Sequence, residues 1–189
     1  MLQGWEAVSG PDIKCSAAFL ARYIKDGKIK PEKVIDCGGG IGRISKELLV
    51  NFFDKVDIVD QAPNLIATAK ETITNPRMRN FYVSGLQDFV FEDQYDCIWI
   101  QWVLLHMVDD DVIKFLIKCK KNLKEGGMLC VKENEKKKGF ILDKLDYSIT
   151  RSEAMHLEIF EKAGLKVVEA LEQPDFPDQL IPVRLYALQ

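Results

Sequence analysis

The chain of 189 residues predicts an α/β fold: a doubly wound sheet of about seven strands, parallel except for an antiparallel last strand, with helices on both faces. Three observations carry this. Short apolar runs rich in Val and Ile alternate with segments of helical period, the pattern of βα units. The last two runs, 166–173 and 183–189, have no helix between them and so should pair antiparallel. The residues least at home in a core strand all fall where a strand runs out, at the carboxyl ends where such sheets bind ligands.

Each element has a local reason. A helix is expected over 13–23, followed by the buried strand KVIDC (33–37) and a run of glycines. ISKELLVNFF (44–53) has helical spacing, KVDIVD (55–60) is a strand, and PNLIATAKETI (63–73) opens with Pro in a first turn. RNFYVSG (79–85) and YDCIWIQW (95–102) are strands. DDDVIKFLIKCKKNL (109–123) is an amphipathic helix that starts on aspartates and ends on lysines, as the helix dipole favours. GGMLCVKEN (126–134) is a fifth strand. Thr150 and Glu153 form a possible capping box for a helix over 151–163, closed by Gly164. On that helix His156 has no polar partner pattern and reads as a surface residue.

No repeat, linker or low-complexity block divides the chain, so residues 1–189 are expected to form a single domain. A net charge of −3, with 47% hydrophobic and 29% charged residues, gives no pull toward nucleic acid or an anionic membrane. The start lacks the basic and apolar regions of a signal peptide, and no apolar run approaches the length of a membrane span. The five cysteines (Cys15, Cys37, Cys97, Cys119 and Cys130) show neither a CxxC pair nor a zinc spacing, so no metal site is expected. An odd number without a framework reads as reduced and intracellular.

The segment IDCGGGIGR places Gly38, Gly40 and Gly42 at alternate positions after Asp36. A tight βα turn would account for glycines alone. Here they also lie between a strand and a helix, and the next strand ends in Asp60, whose carboxylate can accept hydrogen bonds from both ribose hydroxyls of a nucleoside. The spacing is neither that of a Walker A loop nor the GxGxxG of dinucleotide sites. At the end of the fourth strand, WIQWVLLH sets an amide, an indole and an imidazole (Gln101, Trp102 and His106) where a core strand should stop. The bland account of these is a strand fraying into a helix cap.

An acidic residue leading into Gly-x-Gly-x-Gly resembles motif I of the Rossmann-like S-adenosylmethionine-dependent methyltransferases. The combination DCGGGIGR, GLQDF, IWIQWVLLH, VKEN and ILDKLDYSITR, with LIPVRLYAL at the end, is more specific. It resembles the protein alpha-N-terminal methyltransferases, which modify Xaa-Pro-Lys termini, over nearly the whole chain.

Carried over residue by residue, the resemblance implies that Gly38, Gly40, Arg43, Asp60, Leu86, Gln87 and Gln101 contact S-adenosylmethionine, which leaves as S-adenosylhomocysteine. Trp102 would wall the peptide channel, Asn134 would hydrogen-bond the terminal residue, and His106 and Asp146 would sit near the amine. Asp143, Asp146 and Ser148 would receive the lysine at position three, and Leu2, Gly4 and Trp5 would lie over the peptide. Asp143 and Asp146 are read as sharing one helical face, with capping of a helix as their ordinary role. The partners implied are protein N-terminal tails, with no nucleic acid or membrane, in the cytoplasm or nucleus. Two departures from the family stand out: the resemblance implies a further helical segment ahead of MLQGWE, where this sequence begins at Met1, and EKKKG (135–139) sets lysines beside the acidic pair. The alternatives are a small-molecule methyltransferase on the same fold and a cofactor-binding protein without turnover.

Overall fold

Strand β1 (Lys33–Cys37) lies at the centre of the sheet, because all of its residues after Lys33 are buried and both of its faces must be covered. It pairs in parallel with β2 (Lys55–Asp60) on one side and with β4 (Tyr95–Gln101) on the other. The sheet extends outward to β3 (Met78–Val83) beyond β2 and to β5 (Leu123–Lys136) beyond β4. Strand β9 (Val183–Leu188) then pairs antiparallel with β5, and β8 (Val167–Glu172) antiparallel with β9. These seven strands run in the order 3-2-1-4-5-9-8 with β9 alone reversed among them, which bears out the expected architecture; a further hairpin brings the sheet to nine strands. The computed structural model describes residues 5–177 and 179–189.

Helices cover both faces. One core gathers Phe19, Leu20 and Tyr23 of α1 (Trp5–Lys25) and Leu48 and Leu49 of α2 against Val34, Trp99 and Cys130. Helix α2 is a π-helical turn, Ser45–Leu49, that passes into an α-helical Val50–Phe52. The other core packs Phe115 and Leu116 of α4 (Asp109–Lys121) and Ile159 and Phe160 of α5 (Glu153–Lys162) onto Ile98, Ile100, Leu129 and Val131. Helix α3 (Pro63–Thr72) covers Ile58 with Ile66 and Ala69. All five cysteines are buried and unbridged.

Four local expectations are corrected. The segment that carries Asp143 and Asp146 has no helical face: it is a β-hairpin of β6 (Phe140–Asp143) and β7 (Ser148–Ser152), in which Asp143 pairs with Ser148. β7 also continues the sheet through Glu135↔Arg151 and Lys136↔Ser152. Thr150 is accordingly a strand residue, and α5 begins at Glu153 after Ser152, which makes no side-chain cap. His156 is buried, 3.8 Å from Glu135 and stacked 6.0 Å from Phe160, because α5 turns that face onto β9. Helix α1 also starts earlier than expected, running through Gly10 and Pro11. Gln173 donates to the Pro11 carbonyl (3.0 Å), and the next residue, Asp12, is anchored in the core.

Candidate active site

Asp36, buried at the end of β1, is where the loop begins. Its carboxylate accepts from the Ser45 N–H (3.1 Å) and hydroxyl (2.8 Å), so it binds the start of α2 back onto the strand. Burial pushes its pKa up to about 6, against the lowering effect of those bonds. Gly38 has φ +76°, and a Cβ there would lie 2.5 Å from Val103 Cγ2. Only glycine fits that backbone and that gap. Gly40, at φ +57°, has none of the described residues within 4 Å of its Cβ direction and donates to Asp60 Oδ2 (3.0 Å). Asp60 Oδ1 accepts from the Ala62 N–H (2.9 Å). Each oxygen keeps a further acceptor site, so the carboxylate shapes the loop and can still receive hydroxyl groups.

Trp102 answers why β4 ends as it does. It has φ +53°, a left-handed conformation that bulky residues avoid. Its N–H donates to the Lys132 carbonyl (3.0 Å), and the Arg43 guanidinium lies 5.5 Å from its ring. The strained residue thereby projects its ring between two cavities. One, of about 290 Å³, is lined by Gly38, Asp60, Leu65, Leu86, Gln87, Trp102 and His106 among others. The other, of about 210 Å³, lies along Gly38–Gly40, Arg43, Gln101 and Trp102. Gln87 and His106 are exposed at the first cavity, whereas Leu86 is buried.

Gln101 and Arg43 are held from behind. The Gln101 amide donates to both oxygens of Asp12 (2.9 and 3.0 Å) and accepts from the Trp99 indole (3.0 Å). Arg43 Nη1 is 2.8 Å from Asp12 Oδ2. Lys132, fully buried on β5, donates to Asp12 Oδ1 (2.5 Å) and to Ser16 (2.9 Å). Burial lowers the Lys132 pKa, and Asp12 opposes that shift. The Lys118 ammonium group donates to the carbonyls of Leu86, Gln87 and Phe89 and so fixes the turn after β3. Sequence patterns pointed to neither Asp12 nor Lys118, because each acts through partners remote in the chain.

The residues expected at the acceptor are more spread out. His106 ends the 3₁₀ turn Leu104–His106 at the first cavity, and Asn134 is half-buried near the carboxyl end of β5. Asp143 and Asp146 are exposed at the hairpin turn, where each accepts a backbone N–H two residues on: Leu145 at 2.8 Å and Ser148 at 3.1 Å. Neither aspartate lines the two cavities. Ser148 is buried beside them. Leu2 and Gly4 lie outside the described residues. Trp5 begins α1.

A model of the family described as AdoMet dependent proline di-methyltransferase matches residues 1–189. The chain belongs to that family. It is 42% identical over 196 residues to alpha N-terminal protein methyltransferase 1 of Dictyostelium discoideum, covering 100% of this chain and 73% of that relative. It is 39% identical over 194 residues to N-terminal Xaa-Pro-Lys N-methyltransferase 1 of Homo sapiens, covering 100% of this chain and 87% of the other. A solved SAM-dependent methyltransferase from Leishmania major superposes with a TM-score of 0.93 at 30% identity, over 98% of this chain and 74% of that one.

The two cavities meet the demands of the family's cofactor on the evidence of their own residues. Gly40, with open space on its Cβ side, leaves room for backbone-close contact, Asp60 offers acceptors for a ribose, and Leu65 and Leu86 give an apolar wall for a base. Arg43 supplies a cation on the side of the glycine loop.

Proposed function

We infer that this chain transfers methyl groups from S-adenosylmethionine to the α-amine of proteins with an exposed Xaa-Pro-Lys or Xaa-Pro-Arg N terminus. The observation that carries this is the continuous similarity of the whole chain to the N-terminal methyltransferases, supported by a cavity that Gly38, Asp60, Trp102 and His106 line together. When bound, S-adenosylmethionine supplies an electrophilic methyl on sulfur.

The chain's own residues bind and orient. Gly38, Gly40, Arg43, Asp60, Leu86, Gln87 and Gln101 hold the cofactor, with Gln101 acting as a wall fixed by Asp12. Trp102 separates the cofactor lobes and bounds the peptide channel. Leu2, Gly4 and Trp5 close over the peptide, and Asn134 hydrogen-bonds its first residue. Asp143, Asp146 and Ser148 receive the third side chain through charge-assisted bonds, which favours lysine or arginine there. Asp143 and Asp146 each keep free acceptor sites while they cap the hairpin turn.

Selectivity for the terminus begins in the amine. With a pKa of roughly 7.7–8.0, about a tenth of an α-amine is neutral at pH 7, against fewer than about one in a thousand for lysine near 10.4. A strong base is unnecessary: His106 or Asp146 needs only to accept the amine proton and align its lone pair. Most of the acceleration then comes from positioning. The partners are protein tails rather than nucleic acid or membrane, and the buried, unbridged cysteines suit a reducing cytoplasm or nucleus. Among the described residues no helix is long and apolar enough to cross a membrane.

The test is incubation with labelled S-adenosylmethionine and a Ser-Pro-Lys peptide beside its N-acetylated form. Label should enter the free peptide alone. Equal labelling of both would move the acceptor to a side chain, and labelling of neither would refute the reading.

A further inference from the structure

The short turn that carries His106 is gripped at both ends by two side chains with no part in the chemistry above. At its start, Glu133 Oε1 accepts from the N–H groups of Val103 (2.9 Å) and Leu104 (2.8 Å). At its end, Arg151 donates through Nη1 to the Leu104 carbonyl (3.0 Å) and through Nη2 to the Met107 carbonyl (2.6 Å). The Arg151 Nε reaches Asp109 Oδ1 at 2.8 Å. Glu133 and Arg151 are both 1% exposed.

A 3₁₀ turn of three residues leaves most of its N–H and C=O groups in need of outside partners. Neutral side chains could meet that need. Here a buried carboxylate and a buried guanidinium do so, although taking charges out of water is costly. Among the described residues Glu133 Oε2 has no hydrogen-bond partner, and burial raises the Glu133 pKa to about 7 against the opposing backbone hydrogen bonds and the charge of Arg151. What the arrangement supplies is a fixed geometry. Glu133 immediately precedes Asn134 on β5, and Arg151 lies on β7, in the hairpin that bears Asp143 and Asp146. β7 also packs directly on the 3₁₀ turn.

We propose that Glu133 and Arg151 are paired positioning residues for methyl transfer, clamping the Val103–Met107 turn to β5 and to the β6–β7 hairpin so that Trp102 and His106 keep fixed places relative to the peptide-binding side chains. The identity of the acceptor rests on the function proposed above; the clamp itself does not. Misplacement of a reacting group by about 1 Å costs on the order of a hundredfold in rate. Loss of either end of the clamp should therefore slow chemistry by a larger factor than it weakens cofactor binding, because the turn forms one wall of the first cavity and Gly38, Asp60, Leu65 and Leu86 form the rest.

Two measurements test this in the full chain, on E133A, E133Q and R151K. The first is amide hydrogen exchange at Val103 and Leu104. It should quicken at least tenfold in E133A and return close to the wild-type rate in E133Q, which retains an acceptor. The second is the single-turnover rate with saturating Ser-Pro-Lys peptide. It should fall at least tenfold in E133A and R151K and recover most of the loss in E133Q, while S-adenosylhomocysteine affinity falls by a clearly smaller factor than the rate. Unchanged exchange in E133A overturns the clamp, whatever the protein methylates. Quickened exchange with an unchanged turnover rate overturns its role in positioning. If the wild type leaves the peptide unlabelled, the function reading falls and the exchange experiment still decides the clamp. Should E133A fail to fold, R151K decides through exchange at the same turn, which must quicken for the proposal to stand.

Discussion

Replacing Asp12 by alanine should do more damage than any single substitution among the glycine-loop side chains, although Asp12 belongs to no recognisable motif. Its carboxylate, fully buried on α1, meets Lys132 at 2.5 Å, Arg43 at 2.8 Å and the Gln101 amide at 2.9 and 3.0 Å. Without it, the Lys132 ammonium group, itself fully buried, is left among the described residues with the Ser16 hydroxyl and the backbone carbonyl of residue 12. Breaking a buried pair by removing one partner costs about 3–5 kcal/mol. At about 2–4 °C per kcal/mol for a chain of this size, Tm should fall by roughly 6–20 °C. Thermal unfolding followed by circular dichroism measures it. Adding Lys132→Met should recover much of the loss, because an uncharged side chain of similar length removes the stranded cation. S-adenosylhomocysteine affinity, read by calorimetry, should stay reduced in the double variant, because Gln101 and Arg43 still lack their anchor. A drop below about 2 °C in Asp12→Ala, or no recovery in the double variant, would refute the account of this network.

Three further outcomes follow from the same geometry. Gly38→Ala sets a Cβ 2.5 Å from Val103 Cγ2 at a positive φ, so cofactor affinity should fall at least about tenfold in calorimetry. Glu133 has a folded pKa raised to about 7 from 4.5, so the stability it contributes is present at low pH and lost as pH rises through that window. Denaturant unfolding at pH 4.5 and pH 8 should show Glu133→Gln flattening that decline by on the order of 3 kcal/mol, at 1.36 kcal/mol per unit; an unaltered decline would count against the buried carboxylate. Asp143→Asn should raise KM about tenfold for a Ser-Pro-Lys peptide and far less for Ser-Pro-Gln. Equal effects on the two peptides would leave Asp143 a turn residue only.

The sheet was legible because parallel strands buried on both faces must be nearly continuous apolar runs, and KVIDC, KVDIVD and YDCIWIQ are such runs. The antiparallel ending followed from the lack of a helix between two strands. Where the reading failed, a tertiary contact had outvoted a local pattern. Asp143 and Asp146 are three apart, which suits a helix face, but the same spacing spans a hairpin turn between the short runs Phe140–Asp143 and Ser148–Ser152. Gly10 and Pro11 look like a helix boundary, and α1 nevertheless runs through them because Asp12 and the Pro11 carbonyl are held by partners far along the chain.

The same division separates the parts of the site that could be read from those that could not. Gly38, Gly40, Asp60 and Trp102 show themselves because each serves the backbone where it stands: a positive φ, a close approach or a loop N–H to accept. Asp12, Lys118, Glu133 and Arg151 serve backbone or side chains between 29 and 120 residues away, and no local spacing marks them. These long-range anchors nevertheless decide where the readable residues sit. Gln101 and Arg43 are placed by Asp12, the Leu86–Gln87 turn by Lys118, and the His106 turn by Glu133 and Arg151. The anchors also fall into two sets with no shared bond: Asp12 and Lys118 hold Gln101, Arg43 and the Leu86–Gln87 turn, which the proposed function gives to the cofactor, whereas Glu133 and Arg151 hold the Val103–Met107 turn, which it sets nearest the acceptor. Substitutions in the first set should therefore weaken cofactor binding before they slow chemistry, and substitutions in the second should do the reverse.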